Sequence, residues 1–540
     1  MTVNLHTRQI RKCAPRPLNL RLPGPGLLMP ILGLLILCSA VRTSLAEDST
    51  AQIQSPAGVL GEKTAWATPW YVVEGAQPGP VVFLTGGMHG NEPAGSQAAE
   101  SIRHWPIRRG RLIVVPRINH LGLNADIRWF PPLRNEKPLR DMNRNFPTAE
   151  QPMPRTPLAE ALWELIRQHS PDFVVDLHEG FDFHISNSKS VGSSVICSAS
   201  ERRTALAKQM LSAVNAGITD ESRRFELLSR SGAVTGSMVR AATDVLKTDA
   251  FILETTFKDQ PLSLRTRQHR LMVSTLFKQI GLIDEACLDV LTARVAGRVN
   301  VALFDGEGAS SNGLKNLTRV VGGEADLSVT RVGPADMQPE ILRQFHVVLF
   351  PGGSGSRQGK AIGQTGREAV RGFAQTGGGI VGVCAGAYLC SSHYDWSLHV
   401  INTAVFNKTV EIPGVGRKSM WFRGGPQDVD MELAAAAESV LGRAGDVKVR
   451  FQNGPIISPG KDTDLPDYTP LAWFRSEVVR YDPQKGTMVD TPAIVSAPFG
   501  DGRILSVSPH PEATPGLEPL IVRGIRWSAR SQPSTVKAVP

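Results

Sequence analysis

From about residue 60 to 285, short apolar runs rich in β-branched residues alternate with stretches whose apolar positions recur at helical spacing. Val81–Leu84, Leu112–Ile118, Phe173–Leu177, Ser194–Cys197 and Phe251–Leu253 predict strands. Gly95–His104, Leu158–His169, Glu201–Asn215 and Leu264–Ile280 predict helices. This alternation argues for an α/β domain. A second cycle opens at Arg298 with V-N-V-A-L-F-D-G. It continues through a strand at His346–Phe350, a glycine turn P-G-G-S-G (351–355), a helical stretch Arg367–Gln375 and a buried strand Gly379–Val383. A hairpin closes it, with G-D-G between A-I-V-S-A-P-F and R-I-L-S-V-S-P-H. The pattern therefore predicts two α/β domains, 47–290 and 298–528, with a boundary near 286–297 and a disordered tail from 529 to 540.

A chain of 540 residues is too long for one ordinary core, which agrees with two domains. The net charge of +9 is largely local. Residues 1–46 hold six basic side chains and no acidic one, and without them 53 basic residues face 50 acidic ones. A nucleic-acid partner would want a concentrated basic face, and none is visible. The same segment runs from a basic start through the apolar stretch 26–40 to Ser44-Leu45-Ala46, the form of a signal peptide. It predicts a secreted or periplasmic protein with no stable membrane span after cleavage, or a membrane-anchored one if the segment stays attached. Two of the six cysteines, Cys13 and Cys38, lie there. The other four, Cys197, Cys287, Cys384 and Cys390, are too few for a disulfide framework.

Candidate chemistry begins at T-G-G-M-H-G-N-E-P-A-G (85–95), where His89 and Glu92 follow a strand among glycines. Alone, H-x-x-E is a weak metal signal. It gains weight because two later strands also end in polar groups, F-V-V-D-L in His178 and F-I-L in Glu254. Open α/β sheets place functional groups at these carboxyl ends. Asp176 falls on the same strand face as His178 and suits the orienting of a ligand. Between them R-D-M-N-R-N-F-P (140–147) offers Asn143 and Arg144, a neutral and a cationic donor suited to a carboxylate. Glu179 reads as a structural neighbour of the site, and Asp182 and His184 as surface or pocket-lining residues.

H-G-N-E, D-M-N-R-N-F-P, D-L-H-E-G and E-T-T, in this order, resemble the zinc carboxypeptidase superfamily, most closely its succinylglutamate desuccinylase/aspartoacylase branch, over roughly 60–285. The resemblance implies a zinc-carboxypeptidase-like mixed sheet and one zinc ion per chain held by His89, Glu92 and His178. It also implies Glu254 as the general base and Asn143 with Arg144 as the grip on a substrate carboxylate. For the arginine that stabilises an oxyanion, Arg128, Arg134 and Arg140 stand as equal candidates.

In the second half, G-V-C-A-G-A-Y (382–388) places Cys384 between an apolar strand and a helix start rich in small residues, the build of a nucleophile elbow. S-P-H-P-E (508–512) supplies His510 and Glu512, and P-G-G supplies Gly352 and Gly353, whose backbone could face an oxyanion. These residues resemble the class I glutamine amidotransferase-like (flavodoxin-like) fold, in particular the domain at the N-terminus of some biotin–protein ligases, over about 298–528. The resemblance implies a Cys384–His510–Glu512 triad. Tyr388 stands where amidotransferases carry a glutamine, which argues against glutamine as substrate. Cys390 reads as core, and His393 and His399 as ordinary loop histidines.

The leading expectation is a secreted zinc hydrolase that cleaves an amide next to a free carboxylate, in a peptide or an N-acyl amino acid. The alternatives are cysteine-dependent amide hydrolysis in the second domain, with the first as a binding module, and a non-catalytic recogniser of peptides or cell-wall fragments.

Overall fold

The computed structural model describes residues 55–229, 232–284, 295 and 297–529. The predicted signal peptide with Cys13 and Cys38, Cys287, most of the expected domain boundary, and the tail 530–540 lie outside the described residues.

The first domain is built on one eight-stranded mixed sheet. Its strands are β1 (Gly58–Leu60), β2 (Thr68–Glu74), β3 (Gln77–Gly86), β4 (Arg109–Val115), β5 (Phe173–Gly180), β6 (Ser194–Ile196), β7 (Glu226–Leu228) and β8 (Asp249–Thr256). In space they run β1-β2-β4-β3-β5-β8-β6-β7. The central strands β4, β3, β5 and β8 are parallel. Helices α1 (Pro93–Ile102), α2 (His120–Ala125), α3 (Pro157–His169), α4 (Glu201–Asn215), α5 (Met238–Val245) and α6 (Leu262–Gln279) complete the domain. Successive strand residues feed opposite cores. Val82, Leu84, Phe173, Val175, Phe251 and Leu253 pack on one face with residues of α1, α4 and α6. Phe83, Ile113, Val174 and Ile252 pack on the other with residues of α3 and α5. From β3 the chain moves first to β4 on one side and later to β5 on the other, so a crevice opens at the carboxyl ends of β3 and β5.

The second domain carries a nine-stranded sheet. Strands β9 (Val299–Phe304), β10 (Leu327–Val332), β11 (Val347–Phe350) and β12 (Gly379–Val383) are its parallel part. Two short antiparallel pairs, β13 (Thr403–Val405) with β18 (Ile457–Pro459) and β14 (Thr409–Ile412) with β15 (Gly416–Ser419), stand outside it. An antiparallel part is formed by β16 (Gln427–Leu433), β17 (Gly445–Phe451), β19 (Thr469–Phe474) and β20 (Pro492–Phe499), while β21 (Gly502–Val507) pairs parallel with β12. The order is β10-β9-β11-β12-β21-β20-β19-β16-β17. Helices α7 (Ser311–Gly322), α8 (Pro339–Leu342), α9 (Gly355–Gln375), α10 (Ala385–Cys390), α11 (Ala437–Leu441) and α12 (Glu518–Ser528) cover its faces. The expected hairpin is β20–β21, whose two-residue turn puts Gly500 at φ +58°.

The predicted helix Arg367–Gln375 is the end of a longer one, because α9 starts at Gly355 directly after the glycine turn. Ala529, expected to begin the tail, is buried and its N–H bonds the Ile525 carbonyl at the end of α12. Helix α6 joins the two domains: the Ser263 N–H donates to the Asp305 carboxylate at 3.0 Å, and Arg267 pairs with Asp336. Cys197, Cys384 and Cys390 are unbonded thiols. Among the described residues no helix is long and apolar enough to cross a membrane.

Candidate active sites

The register of the first sheet brings its polar strand residues together. His178 on β5 lies beside Glu254 on β8, and Asp176 beside Thr85 on β3. All four share the face packed by α3 and α5, whereas Leu177 and Glu179 point to the opposite face. His89 and Glu92 come from the loop that links β3 to α1. That loop is tight because α1 rides close on the sheet: a Cβ on Gly95 would stand 2.4 Å from the Leu177 carbonyl oxygen.

Nδ1 of His89 lies 2.8 Å from Oε1 of Glu92, and Nδ1 of His178 lies 2.8 Å from its Oε2. The two Nδ1 atoms are 3.2 Å apart. Each outward ring nitrogen meets a second carboxylate. Nε2 of His89 is 3.0 Å from Asp141, and Nε2 of His178 is 2.7 Å from Asp176. Thr85 in turn donates to Asp176 at 2.7 Å. This is the arrangement in which a carboxylate orients a metal-binding imidazole. Asp141, which sequence reading passed over although it opens the D-M-N-R motif, thus orients His89 as Asp176 orients His178.

The three residues His89, Glu92 and His178 are buried, and their donor atoms all lie within 4.8 Å of one another. Two imidazole nitrogens and a carboxylate form a donor set that fits a borderline divalent ion. Oε2 of Glu254, buried beside them, has no hydrogen-bond partner. The buried ionisable groups shape one another. Burial acts to raise the Glu92 carboxyl, but His89 and His178 outweigh it and hold the group well below its ordinary range. Burial pushes Glu254 well up, with the charges of Glu92 and Asp176 adding to the effect.

Asn143 sits against the site with Nδ2 3.3 Å from Nε2 of His178, and its Oδ1 is fixed by the Met238 N–H at the start of α5. Arg144 bonds the Asn143 carbonyl at 2.7 Å and is only partly buried. Of the three competing arginines only Arg128 reaches the site, donating to Glu92 at 2.8 Å and to Asp141 at 3.4 Å. Arg140 stacks on the Trp129 ring at 4.2 Å, and Arg134 is exposed. Glu179 ties the elements behind the site, accepting from the Ala94 N–H at the start of α1 and pairing with Arg265 of α6. Asp182 and His184 order the loop after β5. Asp182 pairs with Lys258 at 2.9 Å, and the His184 ring bonds the Ser190 carbonyl.

In the second domain the carboxyl ends of β11, β12 and β21 are neighbours, and they carry Gly352, Cys384 and His510 respectively. Cys384 adopts φ 51°, ψ −98°, a strained conformation for a residue with a Cβ. Its N–H is bonded by the Val507 carbonyl of β21 at 2.8 Å, and its carbonyl accepts from Ala387 and Tyr388. The turn therefore presents the thiol at the start of α10, the geometry of an elbow. The His510 ring reaches Cys384, and its Nδ1 lies 2.8 Å from Oε1 of the buried Glu512. Burial works to lower His510, yet the thiol and the Glu512 carboxylate hold it well above its ordinary value.

Gly352 leaves room for the ring: a Cβ there would stand 3.1 Å from Cε1 of His510, tight enough to push it aside, and 3.7 Å from the Cys384 Cβ. Gly353 has φ +135° and closes against the 308–310 loop. Tyr388 is half-buried in the lining beside Cys384, and burial, with the thiol adding to it, pushes its hydroxyl well up. Cys390 is core, with burial pushing its thiol to about 12. His393 packs on the Tyr394 ring and His399 bonds the Tyr394 carbonyl. A cavity of about 620 Å³ opens beside Cys384 and His510.

Comparison with known proteins matches each half separately. Residues 78–249 match the family model of the succinylglutamate desuccinylase/aspartoacylase catalytic domain. Residues 299–524 match that of the biotin-protein ligase N-terminal domain. Among solved structures, the tripeptide-bound cell shape determinant Csd4 of Helicobacter pylori is 21% identical with a TM-score of 0.35, covering 40% of this chain and 56% of its own. An aspartoacylase family protein of Mesorhizobium loti is 21% identical with a TM-score of 0.30, covering 40% of this chain and 62% of its own. A putative metallopeptidase of Shewanella amazonensis is 15% identical with a TM-score of 0.33, covering 41% and 85%. The chain spans about half the length of the Csd4 structures. No curated protein matches it.

Proposed function

We propose that this chain, which joins a succinylglutamate desuccinylase/aspartoacylase-type catalytic domain to a biotin-protein ligase N-terminal-type domain, is a metal-dependent hydrolase of amides that neighbour a free carboxylate. The observation that carries the reading is the convergence of both Glu92 oxygens with Nδ1 of His89 and Nδ1 of His178, beside a Glu254 oxygen that has no partner. These three ligands would hold one ion per chain, and the donor set suits zinc. When bound, the ion polarises the scissile carbonyl, lowers the pKa of its water to about 7 and, as a nearby positive charge, favours the ionised form of Glu254.

The chain's own residues supply the rest. Glu254 takes the proton of the attacking water and returns it to the leaving amine. Asn143 and Arg144 hold the substrate carboxylate, which Arg grips bidentately. Arg128 brings a cation to the developing oxyanion. Asp141 and Asp176 keep the two imidazoles in the tautomer and orientation that leave Nδ1 toward the ion. The substrate is a peptide C-terminus or an N-acyl amino acid, met in the periplasm or outside the cell.

The second domain reads as a thiol centre in which Cys384 is the nucleophile, His510 its base, Glu512 the orienting carboxylate, and Gly352 and Gly353 line the oxyanion position. The first experiment is elemental analysis of the purified protein with a screen of N-acyl amino acids and peptides. About one zinc per chain, lost in His178→Ala together with hydrolysis, is expected. A native protein that binds no metal after zinc reconstitution would overturn the reading of the first domain.

A further inference from the structure

The cavity beside Cys384 carries its own record of what it accepts. Five aromatic residues, Tyr388, Tyr394, Trp396, Trp421 and Phe422, line it. Tyr394 and Trp396 stack face to face, with ring centroids 4.5 Å apart and planes 12° from parallel. Trp421 is 42% exposed and meets Phe422 edge-on. Such an aromatic lining, partly open to solvent, beside Cys384 suits a ring. The polar part is made of serines and of the neutral amides Asn407, Gln452 and Asn453. Among the described lining residues the ionic side chains are Arg357 and His510, and no carboxylate is present. A free amino acid entering here would bring an ammonium that finds no carboxylate among the described lining side chains, only a guanidinium and an imidazole. An acyl donor without an ammonium meets no such penalty, and one carboxylate could be taken by Arg357.

We infer that the Cys384 pocket selects ammonium-free acyl donors bearing a planar ring, that is, N-blocked aminoacyl esters or amides, and disfavours free amino acids such as glutamine. This rests on the reading of Cys384 as a nucleophile. The step balances without a further reactant. The thiol sulfur bonds to the acyl carbon while its proton passes to His510, and the bond to the alcohol or amine breaks as that leaving group takes the proton back. Water then cleaves the thioester, giving one proton to the sulfur through His510 and releasing the acid. The ring of the blocking group lies on the Tyr394–Trp396 stack or on Trp421.

The test compares p-nitrophenyl esters of glycine, N-acetylglycine and N-benzyloxycarbonylglycine on full-length protein in a Glu254→Gln background, which silences the metal site. Rates of p-nitrophenolate release are divided by each ester's rate with a free thiol, and acyl-Cys384 is located by mass. Iodoacetamide alkylation of Cys384, with and without His510→Ala, is measured alongside. The expected result is acylation fastest with the benzyloxycarbonyl ester, at least about tenfold above the glycine ester. Trp421→Ala and Trp396→Ala reduce that preference, the benzyloxycarbonyl ester losing more of its rate than the acetyl ester does. Alkylation that depends on His510 without any preference for the blocked, ring-bearing ester overturns the substrate class and leaves the thiol centre standing. Alkylation indifferent to His510, with no acyl-enzyme from any ester, removes the thiol centre and the inference with it.

Discussion

At the carboxyl ends of the first sheet two imidazoles and an arginine face four carboxylates, Glu92, Asp141, Asp176 and Glu254. At the corresponding ends of the second sheet one thiol, one imidazole and one carboxylate stand against aromatic rings. Both use the crevice that parallel strands create, but they hold their reactive groups differently. The first site is a buried charge network in which His89, His178, Glu92, Asp141 and Asp176 are each positioned by an opposite charge, and such a network loses heavily when one partner is removed. The second relies on backbone strain at Cys384 and on the missing Cβ of Gly352, so it depends on steric fit. A site organised by charge answers to a cation and to isosteric charge changes. A site organised by shape answers to added atoms.

That contrast can be broken by experiment, and the largest effect falls on the first site. Glu254→Gln, which keeps the shape and removes the proposed base, should lower amide hydrolysis by ~10³-fold while Cys384 alkylation by iodoacetamide stays unchanged. Equal loss in both assays would show that the sites are not separate. His510→Ala should slow that alkylation roughly tenfold or more by removing the group that takes the thiol proton, with metal content and hydrolysis retained.

Asp176→Asn leaves the three ligands in place but loosens His178, and competition with a chelator should reveal a zinc affinity about 10–100-fold weaker. An unchanged affinity would deny Asp176 its orienting part. Gly352→Ala adds a single methyl 3.1 Å from the His510 ring. About a tenfold loss of thiol reactivity is expected, because small misplacements at a reacting centre are costly, without a change in the thermal midpoint.

The smallest effect concerns stability and lies away from both sites. Burial, helped by Arg103 and opposed by Glu100, lowers His104 to about 4. The unfolded chain therefore takes up this proton first as the pH falls below 6.5. Stability is complete above that pH and should decline by about 2 kcal/mol between 6.5 and 4, allowing for partial exposure. Denaturant titrations should show that component flattened in His104→Asn.

Much of the molecule is legible in its sequence because local patterning and tertiary demand coincide there. Helix α4 and strand β12 stand where their periodicity puts them, and the strand-end residues His178 and Glu254 betray themselves as polar groups where apolar ones are expected. The alternation along β5 alone assigns Asp176 and His178 to one face and Glu179 to the other. The short strands β13 to β19 fall outside the sequence expectation, although β16 and β17 carry a local signal, with Val429, Met431 and Leu433 and then Val447, Val449 and Phe451 buried between charged residues.

What sequence determined by itself is the set of chemical groups, their order, and the strands and turns that carry them, because periodicity and turn chemistry are local properties. Tertiary structure alone decided the rest. It brought Arg128 rather than Arg134 or Arg140 to Glu92, gave Asp141 to His89, set His510 against Cys384 across 125 intervening positions of chain order, and lined the second cavity with aromatic rings. Those choices depend on sheet register and on the convergence of strand ends, which bring together residues that no local pattern connects.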